Sequence, residues 1–294
     1  MIKKIISHKK PHHADDFFAL SILKIYYNNT HIELKAPQEI SQDEINDPHI
    51  LLLDVGGDYN PELLNFDHHQ DLNLSCSLVL VLNWLPIEDK EIILNSTFLK
   101  GIDITDKKGP KALSEIGISP DWNDELDKMK KTILLSEPHP EIGKTFLEVC
   151  KMNLSYQDSW KVLYQKLDEK NLLEQGKEII EKEEKLYQEK KDKVIFFNTE
   201  KGKVALSPET LAPHHHKFFK ETETILLIEK NSMKENHTSI IKNTQTPETK
   251  DIDLSKVFSI YPKVFIHQSG FIAVIDTEIN KVSVDKILEI LLSE

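Results

Sequence analysis

Over the first hundred residues, short apolar runs that end in histidine or aspartate alternate with stretches of helical period. Residues 3–7 read as a strand ending at His8. Residues 15–28 place Phe17, Phe18, Leu20, Ile22, Leu23, Ile25 and Tyr26 at helical spacing. The acidic pair Asp15-Asp16 falls on the first turn of that helix, where free N–H groups and the helix dipole favour negative charge. Residues 32–36 read as a second strand and Ile50–Leu53 as a fully buried third, ending in Asp54 ahead of a turn at Gly56-Gly57. Residues 75–85 predict a helix, and residues 88–104 one further helix leading to Asp103 and Asp106. This order predicts an α/β fold, with a mostly parallel N-terminal sheet flanked by helices and a ligand cleft beyond the strands' carboxyl ends.

From residue 114 to 193 the pattern turns helical and charged, and 177–193 reads as a solvated Lys/Glu helix. Beyond it, residues 194–197, 204–206 and 225–228 look like strands. Residues 231–250 are polar and read as a loop or weak hairpin, and 264–275 as two apolar runs around His267-Gln268-Ser269-Gly270. A C-terminal helix is expected over Val284–Leu292. The expected organisation is an α/β domain at 1–115, a helical connecting region at 116–193 and a smaller α+β domain at 194–294.

Composition narrows the function. A net charge of −12 argues against a protein that coats long duplex nucleic acid, because such binding rests on many cation–phosphate contacts. All 37 basic residues are lysine, so phosphate recognition has to use Lys, His, backbone N–H groups or metal in place of the guanidinium fork. The longest apolar stretches are far shorter than a membrane span, and residues 1–6 are too short for a signal peptide; the expected location is the cytoplasm. Cys76 and Cys150 lack a metal-type spacing and are expected to be buried thiols.

The candidate chemistry is metal chemistry. Asp67-His68-His69 packs a carboxylate and two imidazoles into consecutive positions, with His8, His13, Asp15 and Asp54 upstream and Asp103 and Asp106 downstream. A pair of divalent ions about 3.5–4 Å apart is held by such a set, and the absence of cysteine ligands argues against a closed structural zinc site. Each part alone has a plainer reading: Asp54 before glycine is a turn signal, and His12 and its neighbours suit a surface loop. His214-His215-His216 reads as a surface loop.

In order, His8…His13-Ala14-Asp15, Leu53-Asp54-Val55-Gly56-Gly57, Phe66-Asp67-His68-His69 and Gly101-Ile102-Asp103-Ile104-Thr105-Asp106 resemble the DHH phosphoesterase superfamily. More narrowly they are similar to the branch named for melanocyte proliferating gene. Phe265-Ile266-His267-Gln268-Ser269-Gly270-Phe271 matches that branch's closing segment, and Ser119-Pro120-Asp121-Trp122-Asn123 its mid-chain motif. The resemblance implies a two-metal hydrolase, with manganese the expected ion and magnesium the alternative. Its metal ligands would be His8, His13, Asp15, Asp54, His68 and Asp106, with Asp54 bridging the ions and Asp103 the rival of Asp106. His69 would stand beside the scissile phosphate, oriented with His68 by Asp67. His267, Ser269, Gly270 and Lys107 would contact a phosphate-ester substrate such as short RNA or a nucleotide. The alternatives are a small-molecule phosphatase or pyrophosphatase and a metal- or nucleotide-binding protein without turnover. A homodimer is an allowed assembly. The chain departs from the branch in carrying Lys107-Lys108-Gly109 after Asp106, where the branch has Asn-Gly, and in lacking arginine.

Overall fold

The computed structural model describes residues 2–71, 73–119, 123–267 and 269–292. Pro120, Asp121 and Trp122 of the mid-chain motif, and Gln268, lie outside the described residues. Two compact units divide within one long helix, at Ile180/Glu181.

The first unit opens with β1 (Lys4–His8), α1 (Ala14–Tyr26), β2 (His31–Lys35), α2 (Gln42–Asn46), β3 (Ile50–Leu53), β4 (Tyr59–Asn60) and β5 (Asn65–Phe66). The sheet order is β2-β1-β3-β5-β4, all parallel except β4 on β5. Because side chains alternate along a strand, Ile5, Leu51 and Leu53 enter the main core, whereas Ile6 and Leu52 join Val55 on the other face beneath Ile40 and Ile45. Burial on both faces is why these strands are apolar runs without polar alternation.

Helices α3 (Ser77–Trp84), α4 (Lys90–Asn95), α5 (Thr97–Lys108), α6 (Asp124–Leu135), α7 (Pro140–Cys150) and α8 (Tyr156–Glu169) complete the unit, and α9 (Glu174–Lys191) carries the boundary. The helix expected over 88–104 is two helices. Ser96 breaks it because its side chain caps α5 by accepting from the Leu99 N–H at 3.2 Å. Helices α6 to α9 fill most of residues 124–191, and α7 packs against α1 within the first unit. A Cβ on Gly143 would lie 2.6 Å from the Ser21 carbonyl oxygen, so glycine sets how near α7 approaches α1. Phe18 stacks on Phe146 at 4.3 Å between ring centroids. With the sheet below and helices above, α1 is buried continuously from Asp15 to Leu23. That burial puts an acid into the interior at the helix's first turn.

The second unit contains β6 (Ile195–Thr199), β7 (Gly202–Ser207), α10 (His215–Thr222), β8 (Thr224–Lys230), β9 (Thr238–Lys242), β10 (Lys263–Ile266), β11 (Ile272–Ile275) and α11 (Val284–Leu292). Its sheet, ordered β10-β11-β9-β8-β7-β6, is antiparallel except for β7 on β8, where α10 makes the crossover. Two expectations are corrected. Thr238–Lys242, inside a segment read as a polar loop or weak hairpin, is a buried central strand paired on both sides. His215 is no loop residue but begins α10, with its Nε2 2.8 Å from the buried Glu229. Cys76 and Cys150 are buried and unpaired, and no described helix is long and apolar enough to cross a membrane.

Candidate metal centre

Three neighbouring strands deliver side chains to one edge of the first sheet. β1 ends at His8, β3 runs into Asp54, and β5 runs into Asp67-His68-His69. Asp54 sits at φ 59° and Gly56 at φ 103°, so the chain reverses immediately after β3. A non-glycine residue in the left-handed region costs stability and is held there by its surroundings. Here Ser77, at the start of α3, donates from Oγ to Asp54 Oδ1 at 2.9 Å. Asp15 arrives from the first turn of α1 and Asp106 from the last turns of α5. Asp106 is therefore on a helix, while the other motifs end strands or open a helix.

Two groups of donors result: Asp54, His68 and His69, and His13, Asp15 and Asp106. Within each, one ligand atom per residue lies within 4.8 Å of the others. Asp106 faces both groups, with Oδ2 3.1 Å from His68 Nε2 and Oδ1 3.8 Å from His13 Nδ1. His68 Nε2 is 3.4 Å and His69 Nδ1 3.8 Å from Asp54 Oδ1. His8 stands beside His13, their rings stacked at 5.8 Å. Asp67 accepts from the Gly57 N–H at 2.7 Å and the His69 N–H at 3.1 Å, and its Oδ1 lies 2.7 Å from His69 Nδ1. It orients His69, a member of the first donor group, and lies in neither group itself.

The electrostatics describe a site built for cations. Burial, then the neighbouring Asp54 and Asp106, push the Asp15 carboxyl well above the ordinary range. Both Asp15 oxygens are buried without a hydrogen-bond donor among the described residues, and the buried His68 Nε2 faces Asp106 Oδ2 and Asp54 Oδ1. Burial works against charge on His68, but Asp106 and Asp54 outweigh it and hold the imidazole at about 9. Asp106 is opposed by burial yet lowered by His68 and Asp15. Carboxylates gathered in an interior with too few donors are costly unless a proton or a cation compensates them. An oxygen-rich set completed by imidazole fits a hard or borderline divalent ion.

Asp103 is occupied elsewhere: Oδ1 accepts from the Cys76 N–H at 2.7 Å and Oδ2 lies 3.1 Å from Lys107 Nζ. That leaves Asp106 as the acid in the donor group. Lys107 is held by this pair. In the second unit His267 Nδ1 lies 2.8 Å from Ser269 Oγ, and Gly270 occupies the left-handed turn at φ 67° that closes the loop between β10 and β11. Two features escaped the sequence reading. His12 is buried and its Nδ1 pairs with Asp16, a contact that the i, i+4 spacing across the helix start could have signalled. Lys130, on α6, lines the cavity that also holds His13 and Asp106; nothing in the local sequence marks it.

The strand-end Asp-His-His met by acids and histidines from three other motifs resembles the pattern of the DHH phosphoesterases. Residues 4–74 match the family model MYG1_exonuc, described as an uncharacterised protein family (UPF0160), which bears out the narrower resemblance. Among solved structures, a pGpG-specific phosphodiesterase, PggH, from Vibrio cholerae is 14% identical, with TM-score 0.46 over 98% of this chain and 96% of that chain. The DHH domain of a member of the s1p family of ribosomal proteins is 12% identical, with TM-score 0.41 over 99% and 86%. No curated protein matches the sequence.

Proposed function

We propose that the chain is a phosphodiesterase using two divalent ions, manganese or else magnesium, and most concretely a 3′→5′ exonuclease on short RNA or other oligonucleotides in a reducing compartment such as the cytoplasm. The observation that carries the metal reading is Asp15: fully buried, with both oxygens lacking a donor, and within ligand distance of His13 and Asp106. His8, His13, Asp15, Asp54, His68 and Asp106 would hold the ions, and Asp106 stands within reach of both His13 and His68. When bound, such ions supply an acidified water and positive charge for the phosphoryl oxygens.

The protein's own groups do the rest. Asp106, Asp54 and Asp15 fix the donor positions in advance, so little reorganisation is needed as charge develops on the phosphate. His69 is more than half exposed and tied at Nδ1 to Asp67, which leaves Nε2 as the atom to face a substrate. Through Nε2 it is suited to stabilise or protonate the leaving oxygen. His267, Ser269 and Gly270 are retained as substrate contacts on the strength of the motif, and Lys107 as a source of positive charge near the fourth motif.

The test is metal content and hydrolysis together. Purified protein should carry divalent metal by elemental analysis, lose oligonucleotide hydrolysis on chelation and regain it with Mn²⁺. Asp54→Ala should leave no measurable hydrolysis. Full activity in that variant, or in thoroughly chelated protein, rules the reading out.

A further inference from the structure

Beside the metal centre, the 3-10 segment Pro110–Ile116 and α6 enclose a cleft made of two adjoining cavities within the first unit. The inner one, about 300 Å³, has His13, Asp106 and Lys130 on its wall. The outer one, about 310 Å³, is walled by Pro110, Leu113 and Tyr156, with Lys111, Asp127 and again Lys130 lining it; the Asp127 charge also acts on Lys130. Thr105 and Pro110 also line both, so the two spaces meet at Lys130. Lys130 is half-buried, and its Nζ stands 5.6 Å from the centre of the Trp160 ring. That face contact steadies the ammonium at the junction.

The chemistry changes along the cleft, from carboxylate and imidazole, through ammonium, to a mostly apolar wall that includes an aromatic ring, with Asp127 as an acid on it. A ligand that fills it carries an anion at one end and a flat, largely apolar body at the other. We propose that this cleft is a nucleotide subsite, with Lys130 holding the phosphate beside His13 and Asp106 and with Pro110, Leu113 and Tyr156 walling the base. The assignment rests on the phosphodiesterase reading for its substrate class. It places recognition of one nucleotide in the first unit itself. In a chain without arginine, a lysine positioned by an aromatic face does the phosphate-binding work.

The experiment is titration of the full, manganese-loaded chain with 5′-AMP and with adenosine. Lys130→Gln should weaken 5′-AMP binding about tenfold or more, as expected for loss of a charge-assisted contact, and leave adenosine binding within about twofold. Lys130→Arg should keep most of the 5′-AMP affinity. Lys111→Glu, at an exposed position where folding is not at stake, should weaken 5′-AMP alone. Unchanged 5′-AMP affinity in Lys130→Gln and Lys111→Glu overturns the subsite. So does equal loss of both ligands in Lys130→Gln while Lys111→Glu binds normally. If 5′-AMP binds through Lys130 but no phosphodiester is cleaved, the subsite stands and the catalytic reading falls. Normal oligonucleotide hydrolysis with unchanged KM in Lys130→Gln, and unchanged 5′-AMP affinity in both variants, gives the reverse.

Discussion

Each unit buries a carboxylate, and the two are treated in opposite ways. Glu229, 1% exposed in the second unit, accepts from the Leu211 N–H at 2.7 Å and Thr210 Oγ1 at 3.1 Å and faces His215 Nε2 at 2.8 Å. Asp15, 0% exposed in the first, has no donor for either oxygen and has Asp54 and Asp106 as neighbours. The desolvation cost is of one kind; the compensation differs. A satisfied buried acid locks α10 and the loop before it to β8. An unsatisfied one, among other acids, marks a candidate cation site.

The largest expected effect exposes that contrast directly. Burial and the neighbouring acids already favour the neutral Asp15 carboxyl in the metal-free protein, and Asp15→Asn replaces it with a neutral group of similar shape, so chelated protein should melt no lower than the wild type. The same variant should lose hydrolysis and the metal-dependent rise in stability, which for the wild type amounts to about 2.7 kcal/mol at a hundredfold excess of metal over Kd. Glu229→Gln should behave oppositely, losing about 1–3 kcal/mol whether or not metal is added. Melting curves of both variants with and without Mn²⁺ decide the matter. A large destabilisation of chelated Asp15→Asn would erase the distinction between the two acids.

A second effect follows from His68, whose imidazole is held at about 9 in the metal-free site. Its folded pKa is raised above the ordinary value near 6.5, so its contribution to metal-free stability is full below pH 6.5 and fades as pH rises through about 9. Metal ligation requires the neutral ring, so the metal-loaded protein should trend the other way, gaining affinity for metal over the same range. Calorimetric titration with Mn²⁺ at pH 7.5, in buffers of different ionisation enthalpy, should show proton release. Metal uptake without protons, together with flat melting temperatures between pH 6.5 and 9.5, breaks this account.

How far the sequence revealed these features depends on how local their causes are. Asp54 and Asp67-His68-His69 were legible because a polar residue that ends a fully apolar run has few structural reasons to be there. The mostly parallel sheet followed from the same runs. The break at Ser96 was hidden because one hydroxyl cap interrupts an otherwise continuous helical pattern. β9 was hidden because polar residues surround its short core of Ile240 and Ile241. The choice of Asp106 over Asp103 depends on Cys76 and Lys107 occupying Asp103, a three-dimensional fact. Lys130 reaches the site only through the packing of α6, which its neighbours in sequence do not encode.

The smallest effect tests whether unsatisfied acids are confined to the metal edge of the first unit. On that unit's β1–β2 flank, Glu44 lies 2.6 Å from Lys35 Nζ and 3.0 Å from Lys4 Nζ, and it also accepts from the Ser41 N–H. Burial opposes its ionisation, yet Lys35, the Ser41 N–H and Lys4 outweigh it and bring the carboxyl to about 2. Its folded pKa lies below the ordinary 4.5, so the contribution is present above pH 4.5 and lost as pH falls toward 2. Glu44→Gln keeps an acceptor for the capping box with Ser41 and removes only the charge. With partly exposed lysines screening the pair, the expected loss is about 1 kcal/mol at pH 7. The difference from the wild type should shrink as denaturation midpoints are followed down from pH 5 to pH 2.5, and metal binding at neutral pH should be untouched. A pH-independent difference would mean that packing, and not the lysine pair, accounts for the role of Glu44.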